Sequence, residues 1–147
     1  MLEAANTGDV SRAHKFIGPE YFNRESQADP TRAKRRGPDE FIASVKLLRS
    51  AFADLHFDEQ DIIASRDRVA AILTMSGRHI GNYAGISPTG RTFSYPQVHI
   101  YRIADSKVVE HRAVRDDLKL MIQLGVIGPA SPQYEHVLQS WKSSAMR

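Results

Sequence analysis

Two acids stand side by side in EHRAVRDDLKLMIQLG, residues 110–125: Asp116 and Asp117. They fall where an alternating, strand-like run gives way to one with helical spacing. A carboxylate at such a junction has two possible uses. It can favour the positive end of the helix dipole, or, if it faces an apolar pocket, its pKa rises towards neutrality and it can take a proton from carbon. The residues alone leave both uses open for Asp116. Histidines are the other proton carriers, and His79, His99 and His111 all fall in strand-like runs.

Side chains alternate along a strand, so parity sorts these groups. Gln97, His99, Tyr101 and Ile103 share one face of their run, and Val98, Ile100 and Arg102 the other. Glu110, Arg112, Val114 and Asp116 share one face of the next run, and Val109, His111, Ala113 and Arg115 the other. Neither run has a clean apolar side. Polar groups therefore stand among apolar ones on the face turned to the core, which is the composition of a ligand pocket. His99 reads as a pocket or core histidine, His111 as a rim residue, and His79 as a group near a strand end and loop. Glu110 has Arg112 as a same-face ion-pair partner.

Other chemistries find no support. The histidines do not show the HExxH spacing of a metal site, and no P-loop, GxGxxG or GxSxG stretch occurs. No metal and no cofactor are expected. The chain has no cysteine, which removes disulfides and thiolate ligands and is compatible with a cytoplasmic setting. No apolar run reaches the ~18 residues of a membrane span, and the N-terminal stretch lacks the pattern of a signal peptide. RAKRR, residues 32–36, is the one basic cluster in a chain of net charge +3. Without interleaved aromatics it reads as a solvated loop rather than a nucleic-acid contact.

The elements that must position these groups follow from periodicity. At 147 residues the chain is sized for one domain. Residues 1–5 read as a helix ended by NTGD, with Asp9 capping a second helix over residues 10–16. Residues 21–37 form a long polar loop. GPDEFIASVKLLRSAF, residues 37–52, is a helix with proline in its first turn, early acids and apolar residues at helical spacing. Four strand-like runs follow from residue 55 to residue 116, joined at SRD, GISPTG and ADS. Short links make successive strands antiparallel. Helices followed by such a sheet give an α+β domain. A short helix, DDLKLMIQLG, closes it at about residue 127, leaving residues 128–147 as a polar tail or one more short helix.

EAANTGD, GPDEFIASVKLLRSAFADLHF, GRHIGNYAGISPTGRTF, VHIYRIADSKVVEH and DDLKLMIQLGVI together resemble the SnoaL-like polyketide cyclase family, also called ester cyclases. The resemblance implies an NTF2-like cone, a curved antiparallel sheet wrapped by helices around a deep pocket, commonly dimerised sheet to sheet. It also implies a cofactor-independent intramolecular aldol condensation on a small hydrophobic carbonyl compound. On this resemblance Asp116 aligns with the family's acid/base aspartate, with His99 and Gln97 steadying the enolate oxygen. Asn23, His79, Tyr101, Glu110 and Arg112 complete the expected substrate-binding set. Arg112 stands where the family usually has tryptophan, and an arginine reaching the pocket would change its shape and charge. The alternatives from the same cone are a non-catalytic binder of a small hydrophobic ligand and an interaction domain working through its open sheet face.

Overall fold

The computed structural model describes residues 1–28, 34–128 and 139. The expected tail lies outside the described residues from 129 onward, residue 139 aside, as does the first part of the basic cluster. The elements run α1 (Leu2–Thr7), α2 (Ala13–Phe16), β1 (Ile17–Asn23), a 3-10 turn (Arg24–Ala28), α3 (Gly37–Ala51), β2 (Phe52–Ser65), β3 (Arg68–His79), β4 (Thr92–Ala104), β5 (Lys107–Arg115) and α4 (Asp117–Gln123). The fold is α+β, as the element order predicts. One curved five-stranded sheet, in the order β1-β5-β4-β3-β2, carries the helices on one face.

The four strands read from periodicity pair antiparallel as expected. The fifth is a correction. Periodicity marks no strand between the second helix and the loop that it predicts from residue 21, but Ile17–Asn23 forms edge strand β1, parallel to β5. The sequence hides it because Gly18 and Pro19 break its pattern, and an edge strand is where proline is tolerated. Pro96 in β4 sits where the ladder with β5 ends: the last pair is Gln97 with Arg115, and beyond it only the Asp116 N–H reaches the Pro96 carbonyl, at 3.4 Å. The second helix is also shorter than expected. Asp9 accepts a hydrogen bond from the Ser11 N–H (3.0 Å) and opens a turn, and the helix itself starts at Ala13.

Helix α3 is the backbone of the other layer. Phe41 and Val45 are buried with Ile17 and Tyr21 of β1. At its end the chain passes directly into β2, and Ala51 and Phe52 enter the main core with Leu55, Phe57, Leu73, Phe93, Tyr95 and Leu120. Gly81 has to be glycine for packing reasons: a β-carbon there would run into the Ser50 carbonyl oxygen. That close approach lets the Ile80 and Gly81 N–H groups both donate to the Ala51 carbonyl, at 2.8 and 3.0 Å. The loop after β3 is thereby tied to the end of α3.

The outer face of the sheet carries a separate ionic cluster. Glu110 is 9% exposed and accepts from Arg24 (2.6 Å), Arg112 (2.9 Å) and Arg102 (3.4 Å). The Arg24 guanidinium, opposed by burial and joined by Arg112 and Arg102, holds the Glu110 carboxyl down to about 2. A depressed carboxyl pKa contributes stability above its unfolded value, about 4.3, and loses it as pH falls towards the folded value. Because the arginines are partly exposed, the contribution is about 1–2 kcal/mol. Glu110→Gln is expected to lower stability by that amount at pH 7, and the difference from wild type should vanish between about pH 4.3 and 2. Urea unfolding across that window measures it.

Candidate functional site

Between the inner sheet face and the helices lies a cavity of about 450 Å³. Most of its wall is apolar. Phe41, Val45 and Leu48 come from α3, Phe57 from β2, and Met75 from β3. The N-terminal helix adds Met1, Leu2 and Ala5, and the loop after β3 adds Asn82–Gly85. The size and mixture suit a small organic ligand rather than water.

The polar groups are concentrated on β4 and β5, with one contribution from β1. In the β4–β5 register Tyr101 sits opposite His111 and His99 opposite Ala113. Gln97, His99 and Tyr101 therefore share the inner face with His111, Ala113 and Arg115, and all six line the cavity. Their side chains form a continuous chain. Asn23 Oδ1 is 2.9 Å from His111 Nδ1, His111 Nε2 is 3.0 Å from His99 Nδ1, and His99 Nε2 is 2.6 Å from Gln97 Oε1. The Tyr101 hydroxyl lies 3.3 Å from His99 Nδ1, and its ring stacks on His111 at 5.2 Å between centroids.

Asn23 is held from three sides. Its Oδ1 accepts the Glu25 N–H (3.1 Å), and its Nδ2 donates to Glu40 Oε1 and to Ser44 Oγ, both at 3.3 Å. Its amide orientation is therefore set by the protein and not by the histidine. Burial, reinforced by Arg115, pushes the His99 imidazole down to about 4. Burial, then His99 and Arg115, pushes His111 down to about 3. Both rings are neutral at pH 7. Burial raises the Tyr101 hydroxyl, which keeps its proton.

Among the described residues the only carboxylate lining the cavity is Glu25. Its Oε1 accepts the Ala113 N–H (3.0 Å) and its Oε2 is 3.4 Å from Arg115, whose other side meets Asp117 at 3.1 Å. The cavity's guanidinium is thus flanked by two carboxylates.

Of the residues singled out from sequence, Asn23, Gln97, His99 and Tyr101 line the cavity, and His79, Glu110, Arg112 and Asp116 do not. Parity sorts these side chains into two sets but does not say which set faces the cavity. Glu110 and Arg112 share the outer face of β5, where Arg112 is turned to Glu110 instead of towards the pocket, and Asp116 lies just past the end of the strand. Asp116 is the N-cap of α4: its Oδ1 accepts the Lys119 N–H at 3.0 Å. His79 is fully buried beside the pocket wall, where Nδ1 accepts the Thr89 N–H (3.3 Å) and lies 3.2 Å from Thr89 Oγ1, pinning the GISPTG loop. His111, read as a rim residue, is in the cavity wall, and Glu25 and Arg115 were missed. Parity would have found His111 and Arg115 had the inner face been known, but Glu25 lies in the irregular stretch after β1, which has no period.

The cap gives a direct test. Asp116→Ala is expected to lower stability by about 1 kcal/mol through loss of the cap, while Asp116→Asn, which keeps a capping oxygen, should be near neutral. Neither should change ligand affinity at the cavity by more than about twofold, measured by fluorescence titration.

The model of the SnoaL-like polyketide cyclase family matches residues 1–124. The chain belongs to that family. It is similar to the aklanonic acid methyl ester cyclase DnrD of Streptomyces peucetius, 40% identical over 127 residues, covering 85% of this chain and 86% of that one. The nogalonic acid methyl ester cyclase of Streptomyces nogalater is 35% identical over 126 residues, covering 85% and 92%. Among solved structures, TsrD from Streptomyces laurentii superposes with a TM-score of 0.77 at 32% identity, over 86% of this chain and 90% of that chain. The sheet and its helical cover are thus the NTF2-like arrangement that the resemblance implied. Among the described residues no helix is long and apolar enough to cross a membrane.

Proposed function

We propose that this protein is a cofactor-independent cyclase of the cytoplasm that closes a ring by intramolecular aldol condensation on a hydrophobic polyketide methyl ester. The observation that carries the reading is the continuous polar strip, Asn23–His111–His99–Gln97 with Tyr101, on the wall of a largely apolar cavity in a chain 40% identical to a methyl ester cyclase.

The chemistry asks three things of the cavity. It must fold a flexible substrate so that nucleophilic and electrophilic carbons meet, and apolar walls of fixed shape supply that positioning. It must remove a proton from carbon next to carbonyl groups, and it must steady the enolate oxygen with hydrogen-bond donors. Tyr101 and the Gln97 amide are donors within reach of the same space. That Asp116 does not line the cavity and caps α4 supports giving the acid/base role to the histidines instead. The outer sheet face, where Val114 is 68% exposed, is our proposed contact for a second copy in a homodimer.

The test is incubation of purified protein with aklanonic or nogalonic acid methyl ester, the compounds named in the relatives' activities. An aldol closure is mass-neutral, so the expected product is an isomer with a new retention time and one ketone fewer. Saturable binding of these esters without any isomer formed would make the protein a ligand-binding module of the same fold. Light scattering checks the dimer.

A further inference from the structure

The hydrogen-bond chain across the polar strip can be counted proton by proton. At one end Asn23 Oδ1 must be an acceptor, because the Glu25 N–H donates to it and its Nδ2 donates to Glu40 and Ser44. His111 therefore carries its proton on Nδ1, and when neutral its Nε2 is bare. Nε2 faces His99 Nδ1 at 3.0 Å, so His99 must donate there and its own Nε2 is bare. That bare nitrogen lies 2.6 Å from Gln97 Oε1, a second acceptor.

Two acceptors in contact repel, and there are two ways to remove the conflict. The pair can hold one extra proton, three on four ring nitrogens, with Oε1 accepting from His99 Nε2–H. Alternatively both rings stay neutral and the Gln97 amide turns so that its Nε2 donates to His99. The other partners of Gln97 are the Met75 sulfur, 3.0 Å from its Nε2, and the Tyr95 hydroxyl; the sulfur is a weak acceptor and the hydroxyl can donate or accept, so neither dictates which end of the amide points where. Each protonation state of the pair thus has its own favoured position of Gln97 at His99.

Building on the cyclase reading, we infer that His99 and His111 act as one proton-accepting pair, the base of this pocket, and that Gln97 turns its amide as the proton arrives. In the resting state the Gln97 amide N–H donates to His99 Nε2. Substrate entry moves the amide aside. The C–H bond next to the substrate carbonyls breaks, its proton forms an N–H bond on His99 Nε2, and its electron pair becomes the enolate. The enolate carbon bonds to the second carbonyl carbon, whose π pair moves to oxygen, and the same N–H returns its proton to that alkoxide. Nothing is oxidised or reduced, and the protein ends as it began. His99 is the catalytic residue; His111 and Gln97 are positioning residues that act through it.

The groups facing the pair define its titration. Arg115 comes from β5, Glu25 from the turn after β1, and Glu40 from α3 behind Asn23; Tyr95 and Tyr101 come from β4. From β2 and β3 the pair and Gln97 meet Phe57 and Met75, which carry no charge. Arg115 disfavours an imidazolium, and burial does the same. The cation is therefore transient, formed only against the negative enolate, which supplies the compensating charge.

The experiment is nitrogen-resolved NMR of the histidine rings from pH 7 downward, on wild type and Gln97→Glu, beside the pH dependence of kcat on an uncyclised methyl ester that the protein cyclises. Wild type should show both rings as Nδ1–H tautomers at pH 7 and both changing in one shared step at acid pH. Glutamate at 97 can only accept, so it should favour the protonated pair and raise that step by about 1–3 pH units, with the acid limb of kcat rising in parallel. Gln97→Met, which neither donates nor turns, is the second variant and should return the step to its low position while lowering kcat. Rings that titrate separately, an Nε2–H tautomer on either ring at pH 7, or an acid limb unmoved in Gln97→Glu would each overturn the pair while leaving the cyclase reading intact. Rings that behave as stated in a protein that cyclises none of the esters would instead overturn the cyclase reading and, with it, the pair's role as base.

Discussion

His99→Ala is expected to lower kcat for cyclisation by about 10²–10⁴-fold, the range for removal of a general acid–base group, with KM changed only severalfold. The reason is position. His99 stands in the middle of the polar strip, with contacts to His111, Tyr101 and Gln97, and an edge-on contact with Phe57 at 6.0 Å between centroids. Removing it takes away the ring that meets the substrate and separates the two ends of the chain. The apolar walls that bind the rest of the substrate are untouched, so binding should survive. His99→Gln provides the control for packing. It refills part of the volume with a hydrogen-bonding group that cannot accept a proton at neutral pH, and its kcat should remain low. A kcat within tenfold of wild type in both variants would rule His99 out as the proton acceptor.

The second large effect is expected far from the polar strip. Phe52→Ala should destabilise the fold by about 3–5 kcal/mol, as deletion of a buried aromatic ring does. Phe52 is 2% exposed and stands at the first residue of β2, where α3 ends. Its ring meets Tyr83 and Phe93, each at 4.8 Å between centroids, and His79 at 5.6 Å. It thereby joins three parts of the structure: the strands, the α3–β2 junction and the loop that supplies Tyr83 to the cavity wall. In a chain of this size the loss corresponds to a fall in Tm of about 10 °C or more, read by calorimetry. Phe52→Leu should recover most of it, because a branched aliphatic group fills much of the same space. At temperatures where Phe52→Ala is still folded, its affinity for a cavity ligand should fall more than that of Asp116→Ala. The Phe52 ring supports the wall and the Asp116 cap does not.

Periodicity in the chain is enough to recover α3 and the four strands from β2 to β5. Their apolar residues repeat at 3.6 or at 2, and their connections carry turn residues, as at 65–67 and 104–106. β1 is a different case. Gly18 and Pro19 interrupt it, and its pairing is to β5, about ninety residues away, so nothing local marks it as a strand. The same distance explains Asn23 and Glu25. Both act on β5, through His111 and the Ala113 N–H respectively, and only the β1–β5 pairing brings them there.

By itself, then, the sequence determined the α+β class, the family, and the fact that polar groups alternate with apolar ones along β4 and β5. It could not say which face of β5 looks inward. A strand's alternation has two phases, and on this strand both phases mix charged, polar and apolar residues, so burial energy computed from either set alone does not separate them. The tertiary structure decided it: α3 covers the face of His111, Ala113 and Arg115, and three arginines gather around Glu110 on the other. With that choice His111 entered the cavity and Glu110 and Arg112 left it, because a single strand cannot turn one set of side chains in without turning the other set out; Asp116, past the strand's end, caps α4.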